Sequence, residues 1–430
     1  MKQSYYNYII PDNEYIYWYN GLTNKFFRLS YGLSRKVQSM MDDYPDGSSL
    51  PDVLREHLIN SGFIIDDGFD ELTEIRRRHR ENVESRNYSI VLMPTLDCNY
   101  RCWYCIQNHL TGSKMSLSTL EKLKRHVDYM IKKENIESLY IDWFGGEPLM
   151  YFNEIVEPVT IYALQQCHKA GIPFGVSATT NGFYLDSETV VRCGNLGFRQ
   201  FQITLDGNKE NHDKVKYNGS CVSTFDHVLS NIDRVIDFIP NVNMILRINY
   251  THDNISKDIV AQVNKHIKSS NRKAVLISPH KVWQESVDKS FETVMAGILE
   301  EFSKSGYRIQ SWNPSQGFVP CYTNRKYYNA INYNGNVMKC TACDDLHKPD
   351  GPGRLLEDGS VEWMDDTAVR YTEPTFENPK CLNCKELPVC MGLCPREHVM
   401  GRDYCKHIVS DTTLQTSLIN HLRNVYKTIS

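Results

Sequence analysis

What this 430-residue chain lacks narrows the field first. It has no excess of one charge: 48 Lys and Arg stand against 52 Asp and Glu, a net charge of −4. That balance gives no electrostatic reason to expect nucleic acid as a partner. It has no apolar run long enough to read as a membrane span. Its first residues, MKQSYYNYIIPDNEYIYWYN, lack the basic-then-apolar layout of a secretory signal. The expectation is a cytoplasmic protein with neither nucleic-acid nor membrane partners. Disulfides do not persist in that compartment, yet the chain carries 14 cysteines. Eleven fall in three places, residues 98–105, 321–343 and 381–405, and metal binding is the use that such clustering implies. Cys167, Cys193 and Cys221 are scattered and read as small buried hydrophobes.

A fourth neighbouring cysteine is also missing from the stretch LDCNYRCWYC, where Cys98, Cys102 and Cys105 are spaced Cys-x3-Cys-x2-Cys. Three thiolates can hold three corners of a four-iron cluster and leave one iron open to bind and activate a small molecule. A structural zinc loop is the competing reading, because Cys-x2-Cys is also a zinc spacing. Zinc would need a fourth ligand to close its tetrahedron, and of the next four residues only His109 offers one.

In chain order, residues 1–86 read as a separate small module. Tyr15–Tyr19 is rich in strand formers, Asn20-Gly21 is a two-residue hairpin signal, and Phe26–Ser30 supplies the returning strand. Two helical stretches follow, with Leu33, Val37, Met40 and Met41 on one face of the first and Leu54, Leu58 and Ile59 on the second. Gly62 and the short strand Phe63–Ile65 complete a winged-helix-like α+β module. Glu71–Arg86 reads as a solvated helical linker whose arginines are offset by glutamates, Glu74 with Arg78 at i,i+4.

From residue 87 to about 310, strands and helices alternate. Strands are expected at 89–93, 138–143, 174–180, 200–205, 243–250 and 274–278, and Ser118-x-x-Glu121 reads as a capping box opening a helix. Six such units imply an α/β fold with a parallel sheet, read as a partial (β/α)6 barrel of TIM-like type with its site at the carboxyl ends of the strands. Polar motifs fall at those ends: Gly145-Gly146-Glu147-Pro148, Thr179-Thr180-Asn181-Gly182 and Thr204-Leu205-Asp206-Gly207. The glycines suit close approach to a ligand and Glu147 suits an ammonium group. Arg247 and Asn249 share one face of the fifth strand.

The cysteine spacing followed one strand later by GGEP resembles the radical S-adenosylmethionine (SAM) superfamily. That resemblance implies a SAM-binding cluster on Cys98, Cys102 and Cys105. It implies SAM contacts from Gly145, Gly146, Glu147, Pro148, Thr180, Asn181, Thr204 and Asp206, with Tyr104 near adenine. His212–Lys216 resembles the family's His-Asp-x-x-Arg run but carries Lys216 where arginine stands, and a lysine cannot form the bidentate fork. The first module resembles the peptide-recognition elements of radical SAM peptide maturases, and a barrel-capping extension is the other reading.

Residues 311–430 hold Cys321, then Gly335 and Cys340, then Cys381-x2-Cys384-x5-Cys390-x3-Cys394 and Cys405. This string resembles the SPASM extension, which implies two auxiliary four-iron clusters. By that resemblance Cys381, Cys384, Cys390 and Cys405 hold the outer one, and Cys321, Cys340 and Cys394 the inner one. Cys343 is the candidate for the inner fourth ligand; otherwise that iron is open to substrate. Sulfatase-maturing relatives carry a proton-accepting aspartate after the second SPASM cysteine. Thr341 stands there here, with Asp344 and Asp345 as possible substitutes. The whole resemblance implies reductive SAM cleavage to a 5′-deoxyadenosyl radical, acting on a ribosomally made precursor peptide or protein. The outcome would be a thioether or carbon–carbon crosslink or an oxidised residue, with a reducing partner such as flavodoxin or ferredoxin. Formylglycine formation and a non-catalytic metal-bound peptide scaffold are the alternatives.

Overall fold

The computed structural model describes residues 1–107, 109–217, 219–284, 289–310, 321–342, 346, 348–402, 405, 418–419 and 421–423. They divide into two compact units, one formed by 1–85, 311–326 and 369–430 and the other by 86–310 and 327–368.

In the first unit the chain runs β1 (Lys2–Gln3), β2 (Asn7–Pro11), β3 (Tyr15–Asn20), β4 (Phe26–Ser30), α1 (Tyr31–Asp43), α2 (Asp52–Asn60), β5 (Ile64–Ile65) and α3 (Glu71–Glu84). Strands β2, β3 and β4 form an antiparallel meander, and β1 pairs with β5. Trp18 is fully buried with Val37, Leu58 and Phe63, and its indole donates to Ser34 Oγ at 2.8 Å, which satisfies the one polar atom such a ring carries inward. The β3–β4 connection spans residues 21–25 rather than two residues. The reason is Asn20, which is buried: its amide donates to Asn7 Oδ1 and the Gly62 carbonyl, and its Oδ1 accepts from the backbone of Leu22 and Thr23. In α3 the expected i,i+4 pair forms, while Arg76 reaches a glutamate far along the chain. Arg78 pairs with Glu74 at 2.8 Å, and Arg76 forks onto Glu377. Segment 369–402 shares a core with the beginning of the chain, where Tyr6, Leu22 and Ile75 pack with Phe376, Leu387 and Met391.

The second unit contains β6 (Asn87–Leu92), α4 (Leu117–Lys132), β7 (Ser138–Trp143), α5 (Glu157–Ala170), β8 (Phe174–Thr180), α6 (Ser187–Asn195) and β9 (Phe198–Leu205). It continues through α7 (Lys209–Val215), α8 (Thr224–Phe238), β10 (Asn243–Tyr250), α9 (Asp258–His266), β11 (Val275–Lys281), α10 (Lys289–Lys304) and β12 (Arg308–Ile309). Strands β13 (Tyr328–Ile331), β14 (Asn336–Met338), β15 (Gly353–Leu355) and β16 (Val361–Trp363) complete it. All six expected parallel strands lie side by side in sequence order, β6 to β11; β12 extends one edge and β13 pairs parallel to β6 on the other. Among the described residues the edge strands β12 and β16 are not joined, so the barrel they form is partial.

The pleat sorts the side chains. Leu139, Ile141 and Trp143 of β7, Phe201, Ile203 and Leu205 of β9, and Val275 and Ile277 of β11 belong to the core beneath the helices. Asp142, Ser177, Gln202, Arg247 and Ser278 therefore face the other side, the barrel interior. Helix α4 is capped by Ser116, which accepts from Thr119 N at 3.1 Å, so the cap lies two residues before the expected Ser118. Cys167 and Cys193 are fully buried as expected; Cys221 is half-buried and is not a core residue.

Candidate active site

The cysteine loop leaves β6 directly and is organised by a residue the sequence did not advertise. Asp97 Oδ1 accepts from the Cys98 backbone at 2.8 Å and from Arg101 at 3.1 Å, while Oδ2 accepts from Gly112 N at 2.9 Å. One carboxylate thus pins both ends of the loop. Its only sequence signal was an acid directly preceding the first cysteine.

The GGEP segment is bonded along this loop. Phe144, Gly146 and Glu147 donate their N–H groups to the carbonyls of Leu92, Thr95 and Asp97 at 2.9, 3.0 and 2.9 Å. A Cβ on Gly146 would fall on the Asp97 carbonyl, 2.5 Å from its carbon, and Gly145 has φ +120. The close approach these glycines permit is therefore to the backbone of the cysteine loop. Glu147 is fully buried. Its Oε1 accepts from Leu149 N at 2.9 Å and Thr180 Oγ1 at 2.7 Å, and its Oε2 from Asn181 N at 2.7 Å. Burial pushes its carboxyl up to about 7 against the lowering effect of those donors. Three of about four acceptor positions are filled, leaving room for one more donor, and an ammonium would also restore the charge. Pro148 opens the short 3-10 turn Pro148–Tyr151 that Glu147 caps.

Around this pair stand the other predicted residues. Asn181 donates to Asn99 Oδ1 at 2.7 Å and lies 3.6 Å from Cys98 Sγ. Tyr104 donates to Asp206 Oδ1, and Lys216 holds Asp206 Oδ2 at 2.6 Å and the Thr204 carbonyl at 3.0 Å. Both members of the Lys216–Asp206 pair are buried, so this lysine is committed to the motif carboxylate as a point charge. Thr204 enters through its carbonyl. Arg247 donates to Asn249 Oδ1 at 2.9 Å. His212, fully buried, accepts at Nδ1 from the Asp206 backbone at 3.2 Å.

Burial pushes the Cys98 thiol up to about 12 and Cys102 to about 11, and raises Cys105. A bound cationic iron inverts that preference, since a coordinating thiol is deprotonated outright. The Tyr100 backbone N–H donates to Cys98 Sγ at 3.4 Å, the kind of hydrogen bond that tunes a cluster through its sulfur ligands. Among the described residues no three His, Cys, Asp or Glu side chains converge tightly enough for a single ion; a four-iron cluster instead sets each thiolate on a different iron. His109 lies with Nε2 3.3 Å from the Cys102 carbonyl.

In the first unit, Cys381, Cys384, Cys390, Cys394 and Cys405 are all half-buried. Burial pushes Cys390 up to about 12, with further contributions from the charges of Cys381, Cys405 and Cys384. These four thiols therefore lie within electrostatic reach of one another. Cys321 is exposed at Sγ reach of Thr323, 3.2 Å, and Cys340 is buried in the second unit. Cys343, Asp344 and Asp345 lie outside the described residues.

A parallel-stranded partial barrel with three thiols on the loop after its first strand, and Gly-Gly-Glu-Pro after its second, is a radical SAM fold. Residues 92–259 match the Radical SAM superfamily, whose cofactors are SAM and a four-iron cluster. The chain is 23% identical over 410 residues to the radical SAM cyclopropyl synthase TigE of Paramaledivibacter caminithermalis, covering 82% of this chain and 78% of that protein. Among solved structures, anSMEcpe with bound AdoMet and the Cp18Cys peptide is similar with a TM-score of 0.54 at 16% identity, over 80% of this chain and 99% of that one. SuiB of Streptococcus suis bound to the precursor peptide SuiA has a TM-score of 0.52 at 14% identity, over 95% and 99%. These structures share the fold. The cysteines near the carboxyl end are consistent with auxiliary clusters. Among the described residues no helix is long and apolar enough to cross a membrane.

Proposed function

We propose that this protein is a peptide maturase that forms a crosslink or an oxidised residue in a ribosomally made precursor. The observation that carries it is that Cys381, Cys384, Cys390 and Cys405 belong to the same compact unit as the hairpin-and-helix module of residues 1–85. An auxiliary cluster site and a peptide-sized recognition module built as one body suit a peptide substrate. The likeness to SuiB, crystallised with a precursor peptide, points the same way.

When bound, the loop cluster and SAM supply a 5′-deoxyadenosyl radical. The chain's own residues do the rest. Cys98, Cys102 and Cys105 would hold three irons, and Glu147 would receive an ammonium in the gap its three donors leave. Asn181 steadies Asn99 beside Cys98, and Lys216 holds Asp206 in place at the end of β9. Cys381, Cys384, Cys390 and Cys405 would hold the outer auxiliary cluster, and Cys321, Cys340 and Cys394 with Cys343 the inner one. The electron would come from a reducing partner such as flavodoxin or ferredoxin. Formylglycine formation is the second reading, favoured by the likeness to anSMEcpe and disfavoured by Thr341 in the aspartate position.

Anaerobic co-expression with the short peptide encoded beside the gene, followed by mass spectrometry, tests the reading. A loss of two hydrogens is expected, and an unchanged peptide mass would overturn it for that substrate. Changing Cys98, Cys102 and Cys105 together to Ala should abolish 5′-deoxyadenosine and lower bound iron from about twelve to about eight per chain. Zinc in place of iron would instead indicate a non-catalytic scaffold.

A further inference from the structure

The reaction proposed above removes a proton from the substrate, and the groups already described are poorly placed to take it. Asp206 is held by Lys216 and Tyr104, and Glu147 by three donors. Asp142 lies further down the barrel, bonded to Ser177 Oγ at 2.6 Å.

His280 is placed differently. It stands near the carboxyl end of β11, in register with Asn249, and two residues after Ser278, which is in register with Arg247. Arg247 is itself in register with Thr204 and feels the charges of Tyr104 and Asp206. Because Val275 and Ile277 face the helices, His280 faces the interior beside the residues of the motif site.

Its tautomer follows from the bonds below it. The Ser278 hydroxyl has one proton, and it donates that proton to Gln310 Oε1, which is held there by its own backbone N–H to the Ile277 carbonyl at 2.8 Å. Ser278 Oγ, 3.2 Å from His280 Nδ1, can then only accept, as can the Ser278 carbonyl at 3.4 Å. Nδ1 therefore carries the hydrogen, and the lone pair is on Nε2. Nε2 has no hydrogen-bond partner among the described residues, and the ring is half-buried. Burial, and then the Arg247 charge, hold the ring below the usual imidazole range, so it is neutral at pH 7. Arg247 is the charged group that faces it from β10, and the β12 side presents the neutral Gln310.

We propose that His280 is the general base of this site, its Nε2 accepting the proton that leaves the substrate, with Ser278 and Gln310 as positioning residues. The inference rests on the functional reading above. In the balance, one substrate C–H breaks homolytically and its hydrogen atom passes to the 5′-deoxyadenosyl radical, which leaves as 5′-deoxyadenosine. A second X–H bond, where X is carbon, nitrogen or sulfur, breaks heterolytically as the new bond forms. Its proton passes to Nε2, giving an imidazolium, and the remaining electron passes to a one-electron acceptor of the iron–sulfur class. The substrate is oxidised by two electrons overall.

Two measurements test this. In cluster-loaded protein with 15N-labelled histidine, the His280 signals should show hydrogen on Nδ1, and Ser278→Ala should shift the ring toward the other tautomer. Hydrogen on Nε2 in the wild type would overturn the proposal whatever the substrate is. In anaerobic turnover, His280→Gln should lower product formed per 5′-deoxyadenosine about 100-fold. Imidazole should restore product in His280→Ala, and the wild-type ratio should fall at acid pH while that of His280→Gln stays flat. A wild-type ratio and pH profile in His280→Gln would overturn the proposal. A wild type that cleaves SAM but leaves every candidate peptide unchanged in mass would overturn the peptide reading itself, and is distinguished by the nitrogen signals.

Discussion

Replacing Gly146 with alanine should detach the cysteine loop from the segment that positions it. The new methyl would lie 2.5 Å from the Asp97 carbonyl carbon and 2.7 Å from that of Leu96. Carbon atoms rest at about 3.5 Å, so the two backbones must part by about 1 Å. No flexible side chain is present to yield, because every obstructing atom is main chain. The hydrogen bonds from Gly146 N to Thr95 O and from Glu147 N to Asp97 O, 3.0 and 2.9 Å, would stretch beyond bonding distance. Leaving those buried groups unmade costs about 1–3 kcal/mol each, or about 2–6 kcal/mol together. At roughly 2–4 °C per kcal/mol for a body of this size, melting should fall by roughly 5–20 °C. Cys98 shares the displaced loop, so iron bound by the loop should fall with it. The assay is differential scanning calorimetry beside iron analysis on anaerobically purified protein. Gly32→Ala, in α1 with open space around it, is the control and should change little or stabilise slightly. A Gly146→Ala protein that keeps its iron and melts within about 2 °C of wild type would refute the reasoning.

Lys216→Met should destabilise by about 3–5 kcal/mol, because it leaves buried Asp206 without its cation; denaturant unfolding measures this, and a loss under about 1 kcal/mol would refute it. His126 is fully buried, bonded to Tyr88 and to the Gly359 carbonyl, and burial lowers it from 6.5 to about 4. The unfolded chain therefore binds the extra proton first, so stability is complete above about pH 6.5 and declines as pH falls toward 4. The linkage amounts to about 3 kcal/mol, and unfolding midpoints across that range should lose this slope in His126→Gln. Asp142, raised to about 6 chiefly by burial, acts with the opposite sign. Stability declines as pH rises from 4 to 6, and Asp142→Asn should be the more stable protein at pH 7 by about 1–2 kcal/mol after the weakened Ser177 bond is allowed for.

Much of this was legible in the sequence because period and position are local properties. The six strands of the parallel sheet were read within a few residues, since alternating apolar patterns and the motif at each carboxyl end mark them independently. What escaped were features set by distant partners. Asn20-Gly21 signals a tight hairpin, but Asn20 is drawn inward by Asn7 and Gly62. Ser116 caps α4 although Ser118 carries the better sequence pattern. Asp97 has no motif, and its role exists only because Gly112 and Arg101 return to it. Lys216 reads as a departure from a family pattern until its carboxylate partner, ten residues earlier and on another element, is placed beside it. Ser278, His280 and Gln310 carry no motif in sequence, and their relation needs the pleat of β11 and the edge at β12.

The shared core of Ile75 and Phe376 has a consequence for biosynthesis. The Arg76–Glu377 fork joins residues 301 positions apart. At about 5–20 residues per second of synthesis, the first module waits roughly 15–60 s on the ribosome before its closing face exists. Throughout that interval Tyr6, Leu22 and Ile75 have no native cover, while the barrel can form between them. The Cys381–Cys405 thiols become available only with the segment that ends this wait, so in the growing chain the barrel's own cysteines are exposed to iron–sulfur delivery first.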